Sequence, residues 1–272
     1  MAERAPPDPA TFRLAESIDV EIPEPSDVTA LPGGRFLVVS DLERSAALVA
    51  RGAKVKRVPL LGHDDADAES GFEAVAFDPA SGRLFVVSEE RHELEIHAYR
   101  GSPSALPRPL AHRALPPLGG ARKKRKKKDR NKGVEGMAWL PAALSPTGEA
   151  HLVLAKEARP SALVLLDADG AGPPREIALD GRIEDACRDF SGLAVDPTTG
   201  RLFLCSDESA AFAEIELLER GGELRAELVG ATELRDDRGR PMERVEGIAL
   251  DERGDLYVLL EDDRKLWRLE RA

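Results

Sequence analysis

The chain has 272 residues, with 50 Asp plus Glu against 39 Lys plus Arg, for a formal charge of −11. That balance argues against a general nucleic-acid binder, and no apolar run approaches the roughly eighteen residues of a membrane span. Two cysteines, Cys187 and Cys205, share no CxxC spacing and supply no disulfide framework.

Met1 to Pro9 carries no apolar h-region, so a cytoplasmic location is the expectation. Further along, one unit recurs. It opens at Ser26-Asp27-Val28-Thr29, at Glu73-Ala74-Val75-Ala76, at Glu135-Gly136-Met137-Ala138, at Ser191-Gly192-Leu193-Ala194 and at Glu246-Gly247-Ile248-Ala249. After each opening comes a turn, such as Pro32-Gly33-Gly34 or Asp196-Pro197-Thr198-Thr199-Gly200, and then an apolar run. Those runs are Phe36–Ser40, Leu84–Ser88, His151–Ala155, Leu202–Ser206 and Leu256–Glu261. Small and large residues alternate in the openings, which marks a strand whose small face is crowded by a neighbouring sheet. Weaker strand-like runs follow, at Leu94–Tyr99, Ala162–Leu166 and Ala213–Leu217.

Four strands per unit, repeated radially, predict an all-β fold, a β-propeller. The interval from Glu246 round through the termini to Ser26 is of the same size as the others, so the count is five blades. The ring closes if Phe12–Ile22 supplies the outer strand of the last blade, beside Lys265–Leu269. A six-bladed ring is the alternative, should the long second interval hide a degenerate blade. Residues 1–272 are expected to form a single domain, with 101–132 a Pro-rich and Lys/Arg-rich loop insertion. Within it, Arg122–Arg130 holds eight cations in nine residues, a solvated run or an arm for a polyanion. The acidic stretch His63–Glu69 fails as an EF-hand from Asp65, because Ser70 and Ala76 stand where Gly and Glu are required.

The residues that open the repeats, Ser26, Glu73, Glu135, Ser191 and Glu246, are brought by symmetry towards one axis. Carboxylates about 5 Å apart repel by on the order of 3 kcal/mol per pair at an effective dielectric of about 20. Protons or a cation must relieve that repulsion. Hydroxyl and carboxylate oxygens without His or Cys select a hard ion, and loose geometry favours calcium over magnesium. The alternative is that each Glu accepts backbone N–H bonds and never meets the others. A second set, Asp41, Glu89, Lys156, Asp207 and Glu261, is expected to rim the channel mouth and bind a ligand.

The stretches Asn131-Lys132-Gly133-Val134-Glu135-Gly136, Ala155-Lys156-Glu157, Asp189-Phe190-Ser191-Gly192-Leu193, Ser206-Asp207-Glu208-Ser209 and Val245-Glu246-Gly247-Ile248-Ala249 resemble, in this order, the SdiA-regulated family of bacterial proteins. That family's molecular activity is unassigned. The chain departs from its pattern at Ser26-Asp27, where Ser-Gly is usual, at Glu73-Ala74, where Glu-Gly is usual, and at Glu261-Asp262-Asp263-Arg264. The Ser-Glu-Glu-Ser-Glu order is also similar to the axial calcium ligands of the calcium-activated nucleotidases, the soluble apyrases. That similarity implies calcium and five blades far more than it implies a nucleotidase reaction.

Other chemistries find little support. The histidines form no HExxH pair, and there is no Gly-x-Ser-x-Gly elbow or phosphate-cradling Gly-rich loop. Two readings stand. One is a calcium-binding propeller that takes a small molecule or protein at its acidic mouth. The other is a calcium-dependent hydrolase of a phosphate ester or phosphoanhydride, with Lys156 and Lys123–Lys128 holding phosphate.

Overall fold

The structure is a computed structural model that describes residues 12–60, 71–88, 91–101, 106, 108–116, 133–157, 161–167, 172–236 and 238–271. The acidic stretch His63–Glu69 and the basic run Arg122–Arg130 lie outside these residues.

The described chain begins with β1 (Phe12–Asp19) and then runs through β2 (Pro25–Leu31), β3 (Arg35–Ser40), β4 (Ser45–Ala50) and β5 (Lys56–Pro59). Next come β6 (Phe72–Asp78), β7 (Arg83–Ser88), β8 (Glu93–Ala98) and β9 (Ala111–Ala114). A third group holds β10 (Val134–Leu140), β11 (His151–Lys156), β12 (Ala162–Asp167) and β13 (Arg175–Leu179). One short helix, α1 (Gly181–Ala186), follows, with Asp180 as its N-cap accepting the N–H of Arg182. The chain ends with β14 (Gly192–Val195), β15 (Leu202–Ser206), β16 (Ala211–Arg220), β17 (Glu223–Glu233), β18 (Val245–Leu250), β19 (Leu256–Leu260) and β20 (Lys265–Arg271).

Consecutive strands pair as antiparallel meanders, β2 to β5 in one sheet and β6 to β9 in another. The last sheet runs β1-β20-β19-β18, so the first described strand lies against the last, with Phe12 opposite Arg271 and Asp19 opposite Lys265. The remaining eight strands form one sheet, because the outer strands β13 and β17 touch in parallel at Ala178↔Arg225 and Leu179↔Ala226. The first strands of the meanders contact one another in the order β2, β6, β10, β14, β18 and back to β2. This is the topology of a β-propeller.

The core follows from that arrangement. It is divided among the interfaces of neighbouring meanders. Leu37, Val39 and Leu48 pack on Val75, Leu84 and Val86, for example, and Ala249, Leu259 and Leu266 pack on Val28, Phe36 and Val38. Strands buried on both faces lose strict polar alternation, as the apolar run of β7 illustrates. Each fully buried Leu, Val or Phe contributes roughly 1.5–3 kcal/mol. Among the described residues no helix is long and apolar enough to cross a membrane.

Candidate functional site: the channel axis and its acidic mouth

Four of the first strands open with the same irregularity. The ladder skips a residue between Pro25 and Asp27, between Phe72 and Ala74, between Val134 and Gly136, and between Val245 and Gly247. The skipped residues are Ser26, Glu73, Glu135 and Glu246. In the remaining strand the ladder starts at Gly192, so Ser191 lies just outside it, its N–H donating to the carbonyl of Cys205 at 3.1 Å. A bulge releases one residue from pairing and re-aims its side chain. Four of the five positions selected by the repeat therefore share one local geometry.

The two serines use their hydroxyls to tie one first strand to the next. Ser26 Oγ donates to the carbonyl of Phe72, and Ser191 Oγ donates to that of Val245 at 2.6 Å. Each acceptor immediately precedes an axial glutamate.

The residue after each axial position must be small. A Cβ on Gly136 would lie 2.7 Å from the N of Leu193, and one on Gly192 would lie 2.8 Å from both Cys205 Sγ and the Cα of Gly247. Against this rule stands Asp27, fully buried. Its Oδ1 accepts the N–H of Val28 and its Oδ2 that of Val75, both at 2.8 Å, and the N–H of Met137 also donates to it. The carboxylate thus gathers amides from three successive first strands. Gly247 makes room for it, since a Cβ there would meet Asp27 Oδ1 at 3.1 Å. Burial pushes the Asp27 carboxyl well above the usual range, opposed by these amides and reinforced by the charge of Glu135.

The strand register corrects the expected rim. Val39, Val87, Ala155, Cys205 and Leu259 are equivalent, being opposite Asp27, Ala74, Gly136, Gly192 and Gly247. Two residues on from these stand Asp41, Glu89, Glu157, Asp207 and Glu261. Lys156 belongs one position earlier, level with Ser40, Ser88, Ser206 and Leu260, and it is buried inside β11 rather than standing on the rim. The rim position is acidic in every repeat, and Glu157 is the member that sequence reading missed. Its signal was present in Ala155-Lys156-Glu157, but only the pairing fixes the phase. Asp41, Glu157, Asp207 and Glu261 are half-buried, while Glu89 lies outside the described residues.

Around Glu246 the acids crowd. Burial first, then the charges of Asp207 and Glu261, push its carboxyl up to about 7, with Arg244 opposing. Arg244 donates its backbone N–H to Asp207 Oδ1 at 2.5 Å and pairs with Glu261 at 2.8 Å. Glu261 is itself raised, by burial before any charge. Asp189 accepts from Ser206 Oγ and from the N–H of Glu208 at 3.1 Å. So the structure brings Glu246 together with the rim acids Asp207 and Glu261, and Glu135 together with Asp27. It does not gather Glu73, Glu135 and Glu246 into one cage: among the described residues no group of three His, Cys, Asp or Glu stands close enough to hold a metal ion. The donor chemistry, hydroxyl and carboxylate oxygen alone, suits calcium, while the side chains as placed do not enclose one.

The profile of the SdiA-regulated family matches residues 122–264, which is more than half of the chain. The chain belongs to the SdiA-regulated family. The matched segment holds Glu135, Ser191 and Glu246 and the rim residues Glu157, Asp207 and Glu261. No curated protein matches the chain. Among solved structures, the PQQ-bound aldose sugar dehydrogenase of Streptomyces coelicolor superposes with a TM-score of 0.60 at 14% identity, covering 98% of this chain and 99% of that one. The glutaminyl cyclase of Myxococcus xanthus gives 0.59 at 13% identity, over 97% and 98%. A streptogramin B lyase gives 0.51 at 10% identity, over 96% and 98%. At such identities the likeness is one of fold, and this SdiA-regulated protein shares with them a propeller.

Proposed function

We propose that this SdiA-regulated protein is a five-bladed, calcium-binding propeller that takes a ligand or partner at the acidic mouth of its channel. The observation that carries the reading is the placement of Ser26, Glu73, Glu135 and Glu246 on equivalent bulges, with Glu135 beside the buried carboxylate of Asp27. That placement concentrates negative charge at one end of the axis, with Arg244 as a partial counterweight at the mouth. A hard divalent ion relieves such charge without requiring protons. Oxygen donors on bulges lie outside the ladder, so turning towards an ion would not cost strand pairing. Of the cations that the hydrolase alternative calls on to hold phosphate, Lys156 is 5% exposed, and Lys123–Lys128 lie outside the described residues.

Calorimetry with calcium, with chelator and with magnesium tests this. A ligand bound to the native state alone adds about 4 kcal/mol at a thousandfold excess over Kd. Chelation should lower the melting temperature by several degrees, and magnesium should restore it poorly because it demands tight octahedral geometry. A metal-free protein, verified by elemental analysis, that melts at the same temperature with and without calcium would sink the reading.

A further inference from the structure

The first strands begin at the acidic mouth and end, roughly 17 Å further along the axis after five residues at about 3.3 Å each, in a cavity of different character. This funnel has a volume of about 240 Å³ and is lined from all the first strands. Val28, Met137, Leu193 and Ile248, all buried, form its deep part, with Phe77 and Trp139 in its wall. Asp27 and the tight packing of Gly136, Gly192 and Gly247 separate it from the mouth.

The rim of the funnel breaks the repeat at one point. Six residues after each axial position the chain reads Pro32, Pro79, Pro141 and Pro197, and then Glu252. Prolines fix φ and hold four of the exit turns in shape, so the opening is largely preformed. Beside Glu252 stands Asp251, whose Oδ1 accepts the N–H of Arg253 at 2.8 Å and that of Asp255 at 3.0 Å, which anchors the carboxylate in place. Among the described residues these two acids are the charged members of the lining, and no Lys, Arg or His is in it. Arg35 stands at the Pro32 turn, where its guanidinium is held by the carbonyls of Pro32 at 3.0 Å and Gly101 at 2.9 Å, and it is not part of the lining.

We propose that this funnel is a second binding site, for a small apolar molecule carrying one ammonium group. The apolar body would fill the space beside Trp139, and the ammonium would meet Asp251 and Glu252 at the rim. The cavity lies below the roughly 300–1,000 Å³ of drug-sized sites, so one ring with a short arm is the size it admits. The site is independent of calcium at the mouth.

The probes are 2-phenylethylamine, 3-phenylpropionate and 2-phenylethanol, which share a ring and differ in charge. Titration calorimetry measures their binding, and Trp139 fluorescence locates it, with Trp139→Leu as the control for the signal. The amine should bind about tenfold more tightly than the carboxylate, with the alcohol between them and the preference shrinking as salt rises. Glu252→Gln and Asp251→Asn, made separately in case the Asp251 turn does not survive, should each reduce the amine's advantage while leaving the alcohol unaffected. Chelating calcium should leave the amine's affinity unchanged. No saturable binding of any probe, or a carboxylate that binds as well as the amine, would overturn the proposal, as would amine binding that survives at full strength in both variants.

Discussion

The carboxylate of Asp27, on β2, accepts the amide of Val75, on β6, at 2.8 Å, so a side chain of one meander completes the backbone of the next. The position is Gly or Ala in every other repeat. Replacing Asp27 by Ala strands the amides of Val75 and Met137 in a buried site, at a cost of about 1–3 kcal/mol. Urea unfolding of Asp27→Ala should show that loss. Asp27→Asn should also destabilise, because its NH2 group would face donors. Unchanged midpoints in both variants would mean that the carboxylate holds nothing together.

Glu246 makes stability depend on pH. Its folded pKa of about 7 lies above the ordinary value of 4.5, so folding takes up a proton between those limits. Stability is therefore greatest below pH 4.5 as far as this group is concerned, and falls as pH rises to 7, by up to about 3 kcal/mol. In chelator, Glu246→Gln should remove most of that slope. If calcium binds at the axis, adding it should flatten the slope in the parent as well. Melting temperatures of both proteins between pH 5 and 8 decide the matter, and identical slopes would contradict it.

Two glycines separate packing from chain flexibility. At Gly192 an added methyl would sit 2.8 Å from Cys205 Sγ and from the Cα of Gly247, whereas at Gly230 nothing lies within 4 Å. Gly192→Ala should cost about 1–3 kcal/mol by overpacking, and Gly230→Ala should be neutral or slightly stabilising. Equal effects of the two in denaturant titrations would show that the first strands are less tightly apposed than described.

Removing residues 1–23 should open the ring. The deletion takes away β1, which pairs with β20, and also Val20 and Ile22, both fully buried. It exposes an unpaired strand edge, which invites association. Light scattering and thermal melting should show aggregation or a markedly lower transition. A monomer that melts like the parent would mean that β1 contributes little to closure.

Much of this fold is legible in the residues. Ser26, Glu73, Glu135, Ser191 and Glu246 announce the repeat, and the run Leu202–Ser206 coincides with β15. The pairing of β1 with β20 follows from the size of the closing interval. Other features depend on tertiary contacts that no local pattern encodes. The parallel touch of β13 on β17 joins outer strands whose alternation says nothing about their neighbours. Asp27 stands out as a departure from Ser-Gly, yet its role depends on amides 48 residues away in the case of Val75. Lys156 was misplaced by a single residue because Ala155-Lys156-Glu157 lacks the serine that marks the phase at Ser40, Ser88 and Ser206. One residue is enough to turn a strand side chain from the rim into the interior.

A residue skipped by the ladder makes no cross-strand pair that its replacement must preserve. The four skipped positions can therefore exchange Ser for Glu, or Glu for Ser, one at a time, each step altering the charge at the channel mouth while the backbone ladder stays as it was; at Ser26 the step also gives up the hydroxyl's bond to the Phe72 carbonyl.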